Sequence, residues 1–213
     1  MLRPIALSAL FSTLILISTS IATKKVHAHP VAYAGATSFM SLNMKGLSEN
    51  TLVYSPTYYL GTGLKHVQTD GEKWSNLHLG YLVKRWNELD SQANIYLFGG
   101  PGLHQKDGQN AYFTRLGAQA DWENRRFYLM GRYSAAHSKL SSFEQYQTRV
   151  GFAPFLAGFN ELNVWMIVQF QHVPQRDQES KVTPLMRFFY KNVLWEMGSS
   201  VDGDWLVNLM VRY

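Results

Sequence analysis

The chain has 213 residues and no cysteine, with 16% charged and 14% aromatic residues; an ordinary soluble domain carries about 25% charged residues. Without cysteine, disulfide frameworks, thiolate metal centres and cysteine nucleophiles are excluded. The net charge of +5 is concentrated at the start, where Arg3, Lys24 and Lys25 stand among residues 1–28 without an acid; the other 17 basic side chains face 15 acids, which gives no electrostatic case for nucleic acid.

The first element in chain order reads as an export signal. Arg3 supplies a positive start, 5–22 is an uncharged and mostly apolar run, and Val26-His27-Ala28 offers the residues of a cleavage site. A signal peptide over 1–28 is expected, leaving 29–213 as one domain. Cleavage after Ala22 is the alternative, because Lys24-Lys25 is unusual before a site. A retained anchor is the competing reading, since the run is about long enough to span a bilayer.

Beyond residue 28 no apolar run reaches the ~18 residues of a spanning helix. The hydrophobic period is 2. Leu162, Val164, Met166, Val168 and Phe170 alternate with Asn163, Trp165, Ile167, Gln169 and Gln171, and the same holds over 112–122, 127–134 and 146–153. Turn signals such as Asp70-Gly71, Asp107-Gly108, Glu123-Asn124 and Asp202-Gly203 punctuate the runs. Twelve strands are expected, at 36–44, 50–55, 58–68, 74–87, 92–103, 110–122, 126–137, 144–155, 161–173, 182–190, 193–199 and 204–213. Merging across Pro56 and Lys191-Asn192 would give ten, and eight is a further alternative. Longer polar connections are expected at 45–49, 69–73, 104–109, 138–143, 174–181 and 200–203. They alternate with shorter ones at Pro56, 88–91, 123–125, 158–160 and 191–192.

The last expected strand places Trp205, Val207, Leu209, Val211 and Tyr213 on one face and ends on an aromatic. With the export signal and the alternation over 36–213, this resembles Gram-negative outer-membrane β-barrel proteins. No motif of a specific family is matched. The resemblance implies an all-β, closed antiparallel transmembrane barrel located in the outer membrane and surrounded by its lipid. It also implies a final strand recognised by the barrel-assembly machinery, and a monomer. Two aromatic girdles are expected of such barrels. Tyr54, Trp86, Trp122, Phe127 and Tyr213 would form one, at the short-turn ends; Trp74, Tyr112, Tyr146 and Trp205 would form the other.

With the lipid face fixed in this way, Lys84, Arg115, Arg132, Arg149, Arg187 and Arg212 are assigned to the lumen, with Asp121 and Glu196 as the internal acids. A basic lumen attracts anions. The plan is similar to that of small porins for acidic oligosaccharides, and the expected function is a small pore for anionic or small polar solutes. The alternative is a closed structural or adhesive barrel in which the same arginines bridge acids and tyrosines. Mid-strand Arg115, Arg132 and Arg149, on three consecutive strands, are expected to form one basic cluster.

Three further chemistries are weaker. His137-Ser138, near Ser141, Ser142 and Glu144, is the one local cluster that could serve a lipid hydrolase, but adjacent residues of a strand point to opposite faces. Envelope metal handling would draw on His29, His66, His78, His104, His137 and His172, none of which has ligand spacing. Gly99-Gly100-Pro101-Gly102 precedes no helix, so it is read as a strand bend rather than a phosphate cradle. No enzyme activity, metal or cofactor is expected.

Overall fold

A computed structural model describes residues 32–69, 71–158, 160–175 and 180–213. The expected signal segment and His29 lie outside the described residues. The chain forms β1 (Ala36–Met44), β2 (Leu47–Ser55), β3 (Leu60–Thr69), β4 (Glu72–Asn87), β5 (Ser91–Lys106), β6 (Gln109–Asn124), β7 (Phe127–Ser138), β8 (Ser142–Phe152), β9 (Asn163–His172), β10 (Ser180–Tyr190), β11 (Val193–Ser199) and β12 (Trp205–Arg212). Each strand pairs antiparallel with its sequence neighbours, and β1 pairs with β12 to close the barrel. Thr37 and Tyr213 seal the seam by exchanging both backbone hydrogen bonds at 2.8 Å. Closure leaves no strand edge with unpaired backbone groups.

The two doubtful breaks are real turns, so the count is twelve rather than ten. The expected alternation of long and short connections is not found. Strands β1–β2, β3–β4 and β5–β6 are joined across 45–46, 70–71 and 107–108, while the longest connection, 153–162, lies at the end expected to carry short turns. At Asp107-Gly108 both residues have positive φ, 49° and 74°. This is the backbone of a type I′ turn, whose twist matches that of the flanking strands. Given such turns, polar strand ends such as Gln105, Lys106, Gln109 and Asn110 keep gaining ladder hydrogen bonds, and segments that composition marks as loop become strand.

The outward face is apolar. Leu52, Leu64, Leu77 and Leu79 on one side, and Val150, Met166, Val168 and Phe170 on the other, are all exposed. Tyr54, Trp86, Trp122, Phe127 and Tyr213 point outward at one end of the barrel, and Tyr112, Tyr146 and Trp205 at the other. Continuous apolar surface around a whole molecule far exceeds the few hundred Å² that soluble monomers tolerate.

A register shift between Leu82 and Lys84 corrects two assignments. Trp74, Lys84 and Trp86 would share one face of a regular strand. The bulge turns the strand over between them. Trp74 faces inward and is 1% exposed, so it does not belong to a girdle. Lys84, paired with Ile95, faces outward beside Trp86, its Nζ 5.8 Å from that ring, and does not line the lumen. Arg85, paired with Asn94, takes the inward place.

The interior is layered along the barrel axis. Near the β3–β4 and β5–β6 turns, Leu47, Val67, Trp74, Phe113, Ala136, Phe143 and Val173 form a buried apolar layer across the lumen, with Leu42 and Met44 against it. Ile167, Leu185 and Leu206 form a second cluster sharing Leu42 and Met44.

Candidate functional site

Several groups of charges occupy inward positions among the described residues. In the first, Glu196 is fully buried and accepts from three donors. Arg149 Nη1 reaches both carboxylate oxygens at 3.1 Å, Arg187 Nε lies at 2.7 Å, and Asn208 Nδ2 at 2.9 Å. Gln169 Oε1 accepts from Arg149 Nε at 2.9 Å and from Gln147 Nε2 at 2.7 Å. The Arg187 guanidinium stands 4.6 Å over the Tyr128 ring. Buried charge is costly unless paired and hydrogen-bonded, and here one carboxylate serves two cations through several bonds.

A second group lies toward the end where Trp86 and Trp122 face outward. Arg85 donates to Asn94 Oδ1 at 2.6 Å and to Tyr96 Oη at 3.1 Å. Asn94 and Gln119 donate to the two oxygens of Asp121 at 2.7 and 2.9 Å. Arg212 Nε donates to Ser38 Oγ at 2.9 Å across the seam.

The third group sits between the Glu196 group and the apolar layer. Lys65 pairs with Glu49. Arg115, 1% exposed, donates from Nη1 to Ser134 Oγ at 3.2 Å, and its Nε and Nη2 have no hydrogen-bond partner among the described residues. Arg132 stands 4.8 Å over the Phe98 ring, and its Nε is likewise without a partner among them. Among the described residues Lys65 alone bonds the Glu49 carboxylate, while Arg132 and Arg115 lie within reach of its field. A cavity of about 130 Å³ opens beside Lys65 and Arg132, lined also by Glu49, His78, Gln147 and Glu196.

Above the apolar layer, His104 stacks on Trp74 with ring centroids 3.5 Å apart. Its Nδ1 lies 2.7 Å from Ser138 Oγ and its Nε2 3.4 Å from Glu72. Ser138 Oγ also accepts from the backbone N–H groups of Leu140 and Ser141, at 3.1 and 3.2 Å. Those donors point at the hydroxyl itself, which is a turn-capping geometry; an oxyanion hole would aim them at a substrate oxygen beyond it. His137 faces outward, away from Ser138. His66 and His172 bond to Ser75 and Ser180 on the outer surface, and among the described residues no group of three or more His, Asp or Glu side chains could hold a metal ion.

No protein-family model matches the chain, and no curated protein matches it. Among solved structures, the barrel is similar to the KdgM porin, with 10% identity, 84% of this chain and 98% of that chain covered, and a TM-score of 0.48. The KdgM porin in complex with disordered oligogalacturonate gives the same values. The Pseudomonas aeruginosa protein OccK8 (OprE) follows with 10% identity, 81% and 62% covered, and a TM-score of 0.42. At such identities the likeness is one of barrel shape alone.

Arg115, Arg132, Arg149, Arg187 and Arg212 all face the lumen as the alternation implies, and so do Asp121 and Glu196. The expected single cluster of Arg115, Arg132 and Arg149 is divided, because Arg149 turns to Glu196 on β11. Several charged residues escaped the sequence reading, Glu49, Lys65 and Arg85 among them. Glu49 fell within an expected loop, yet stepping back by twos from inward Val53 through Thr51 reaches it. Lys65 alternates with outward Leu64 and was open to the same inference. Arg85 is inward only because of the bulge, for which the sequence carries no plain signal.

Proposed function

We propose that the chain is an exported outer-membrane β-barrel that admits small anionic solutes to a basic lumen. The reading is carried by one contrast: the outward face is apolar between two sets of aromatic residues, while inward Lys65, Arg132, Arg149 and Arg187 line a cavity in which they outnumber the carboxylates of Glu49 and Glu196. Lipid accounts for the outer face, and a hydrated, anion-attracting interior accounts for the guanidinium groups. In this reading residues 1–28 are removed on export, the barrel-assembly machinery recognises the strand ending at Tyr213, and the barrel works as a monomer. The cavity near Arg132 suits small ions rather than an extended chain.

Two experiments test it. A folded membrane barrel migrates anomalously on gels until heated and fractionates with outer membranes; a folded protein recovered from the soluble periplasm would end the membrane reading. In planar bilayers, open channels should favour chloride over potassium. The apolar layer around Trp74 supports a second reading, a closed structural barrel, and absence of conductance from correctly folded protein would select it. Cation preference would mean that the arginines do not line the path.

A further inference from the structure

We propose that the outer wall of β1–β4, at the end of the β1–β2 and β3–β4 turns, binds a glycolipid, with its acyl chains on the apolar wall and its sugar headgroup on a patch of amides and hydroxyls beside it. The proposal rests on the reading of the outer face as embedded in lipid, and deepens it by naming the lipid class that one part of that face takes. Residues paired across neighbouring strands point to the same side of a sheet. The row Phe39, Leu52, Leu64 and Leu77 crosses β1 to β4, and all of its side chains are exposed. Nearer the turns, the next outward row is Ser41, Asn50, His66 and Ser75, and the one after it is Asn43, Ser48, Gln68 and Lys73. Polarity thus reverses between adjacent rows. The reversal is local. On β12 the two polar rows continue as Leu209 and Val207, both exposed, and on β5 and β6 the first continues as Leu103 and Tyr112. Between outward Trp205 on β12 and Tyr112 on β6, amides and hydroxyls hold the place of the aromatic set.

The patch is ordered by its own hydrogen bonds. Asn50 Nδ2 donates to Ser48 Oγ at 3.4 Å, Ser48 Oγ to Asn43 Oδ1 at 2.8 Å, and Asn43 Nδ2 to Ser41 Oγ at 3.0 Å, while His66 Nδ1 lies 2.8 Å from Ser75 Oγ. Polar groups turned toward hydrocarbon are costly unless they are hydrogen-bonded, so a row that borders Leu52 and Leu64 calls for polar partners at that depth. Carboxamides donate and accept at once, and so do sugar hydroxyls. Charge does not choose the headgroup. The second polar row reaches a cleft of about 410 Å³ between the β3–β4 and β5–β6 turns, where Lys73 and Lys106 are matched by Glu72 and Asp107, and Gln68, Gln105 and Asn110 supply the amides. That volume falls within the ~300–1,000 Å³ of clefts that hold small ligands. A hydroxyl-rich, uncharged head above apolar chains matches the step in polarity from one row to the next.

The test uses the full folded barrel in a detergent without sugar. Diglucosyl diacylglycerol and phosphatidylglycerol with the same acyl chains are the probes, so that only the headgroup differs. Lipid retained on the protein is counted by native mass spectrometry, and the thermal midpoint is read beside it. The diglucosyl lipid should be retained in preference and should raise the midpoint. The double variant Asn43→Leu, Asn50→Leu, which leaves the inner wall untouched, should weaken that retention by about fivefold or more, the loss expected for two or more neutral hydrogen bonds. Gln68→Leu should weaken it less. Thr148→Leu, outward on β8 across the barrel, should leave it unchanged. Equal retention of the two lipids, preference for phosphatidylglycerol, or full retention by the folded double variant would overturn the site. So would a dimer that comes apart in the double variant, because a second copy would then cover the patch. Failure of the membrane reading shows separately: a barrel folded and soluble without detergent overturns both, whereas a heat-modifiable barrel in outer membranes that holds both lipids alike overturns the glycolipid site and leaves the membrane reading intact.

Discussion

Two pairs of arginines occupy the same lumen and meet opposite fates. Arg149 and Arg187 share Glu196, with Gln169, Asn208 and Tyr128 completing their contacts. Arg115 and Arg132 have Ser134 and the Phe98 face, and several of their N–H groups have no acceptor among the described residues. Residue type and facing are alike in the two pairs. The acids across the barrel differ, and so does what each pair can do. The first pair is a structural lock. The second pair has no carboxylate bonded between its guanidinium groups and is the less fully satisfied of the two.

The comparison breaks most visibly at the lock. Glu196→Gln removes the carboxylate from two buried guanidinium groups and should cost about 3–5 kcal/mol, seen as a large fall in the detergent thermal midpoint and earlier loss of heat-modifiable migration. Trp74→Ala, which empties the centre of the apolar layer, should cost about 3–5 kcal/mol. It should also raise or create conductance in bilayers. A gain in conductance would identify that layer as the constriction, whereas lost stability with unchanged conductance would place the barrier elsewhere.

The bulge offers a graded contrast between adjacent residues. Arg85→Gln loses its charge-assisted bonds to Asn94 and Tyr96 and should cost about 1.5–3 kcal/mol, whereas the outward Lys84→Gln should stay within about 0.5 kcal/mol; chemical denaturation of both variants measures the difference. At the second arginine pair, Arg132→Gln should change stability by no more than about 1 kcal/mol and could increase it, because it relieves like-charge repulsion without stranding an acid. Arg132→Glu, introduced into conducting wild-type channels, should lower the chloride preference. A loss of stability in Arg132→Gln matching that of Glu196→Gln would erase the distinction between the pairs.

The smallest effect concerns pH at the barrel seam. Asp204, in the β11–β12 loop, accepts from Lys181 and lies 3.0 Å from Lys45 in the β1–β2 turn. Hydrogen bonds from Lys181 and then Lys45 hold its carboxyl below the usual range near 4. A carboxyl with a lowered folded-state pKa adds stability above its unfolded pKa, and this is lost as pH falls through the folded value. Wild-type stability should therefore drop below about pH 4, and Asp204→Asn should show a shallower drop in denaturation profiles taken across that range.

Much of the fold was legible because a strand encodes its two faces locally. The alternation of Tyr112, Thr114 and Leu116 with Phe113, Arg115 and Gly117 needs no knowledge of distant residues, and it put five of the six assigned basic residues in the lumen. Asp-Gly and Lys-Asn dipeptides marked turns for the same reason. Loop lengths were not legible, because whether Lys106 or Asn110 is strand or loop depends on a partner strand continuing beside it. The bulge after Leu82 was not legible either, and a single extra residue in β4 exchanged the places of Lys84 and Arg85 and took Trp74 into the lumen.

The sequence by itself thus determined the strand order, the outward-facing apolar set and the arginine face, since each depends on a period of two along one strand. Only the tertiary structure decided which charges are neutralised and where the lumen closes. The contacts responsible join Arg149 to Glu196 and Lys65 to Glu49, and stack Trp74 on His104, between residues many positions apart. Closing the barrel fixes those distances, and in a low-dielectric interior a few ångströms separate a paired charge from one without an acceptor.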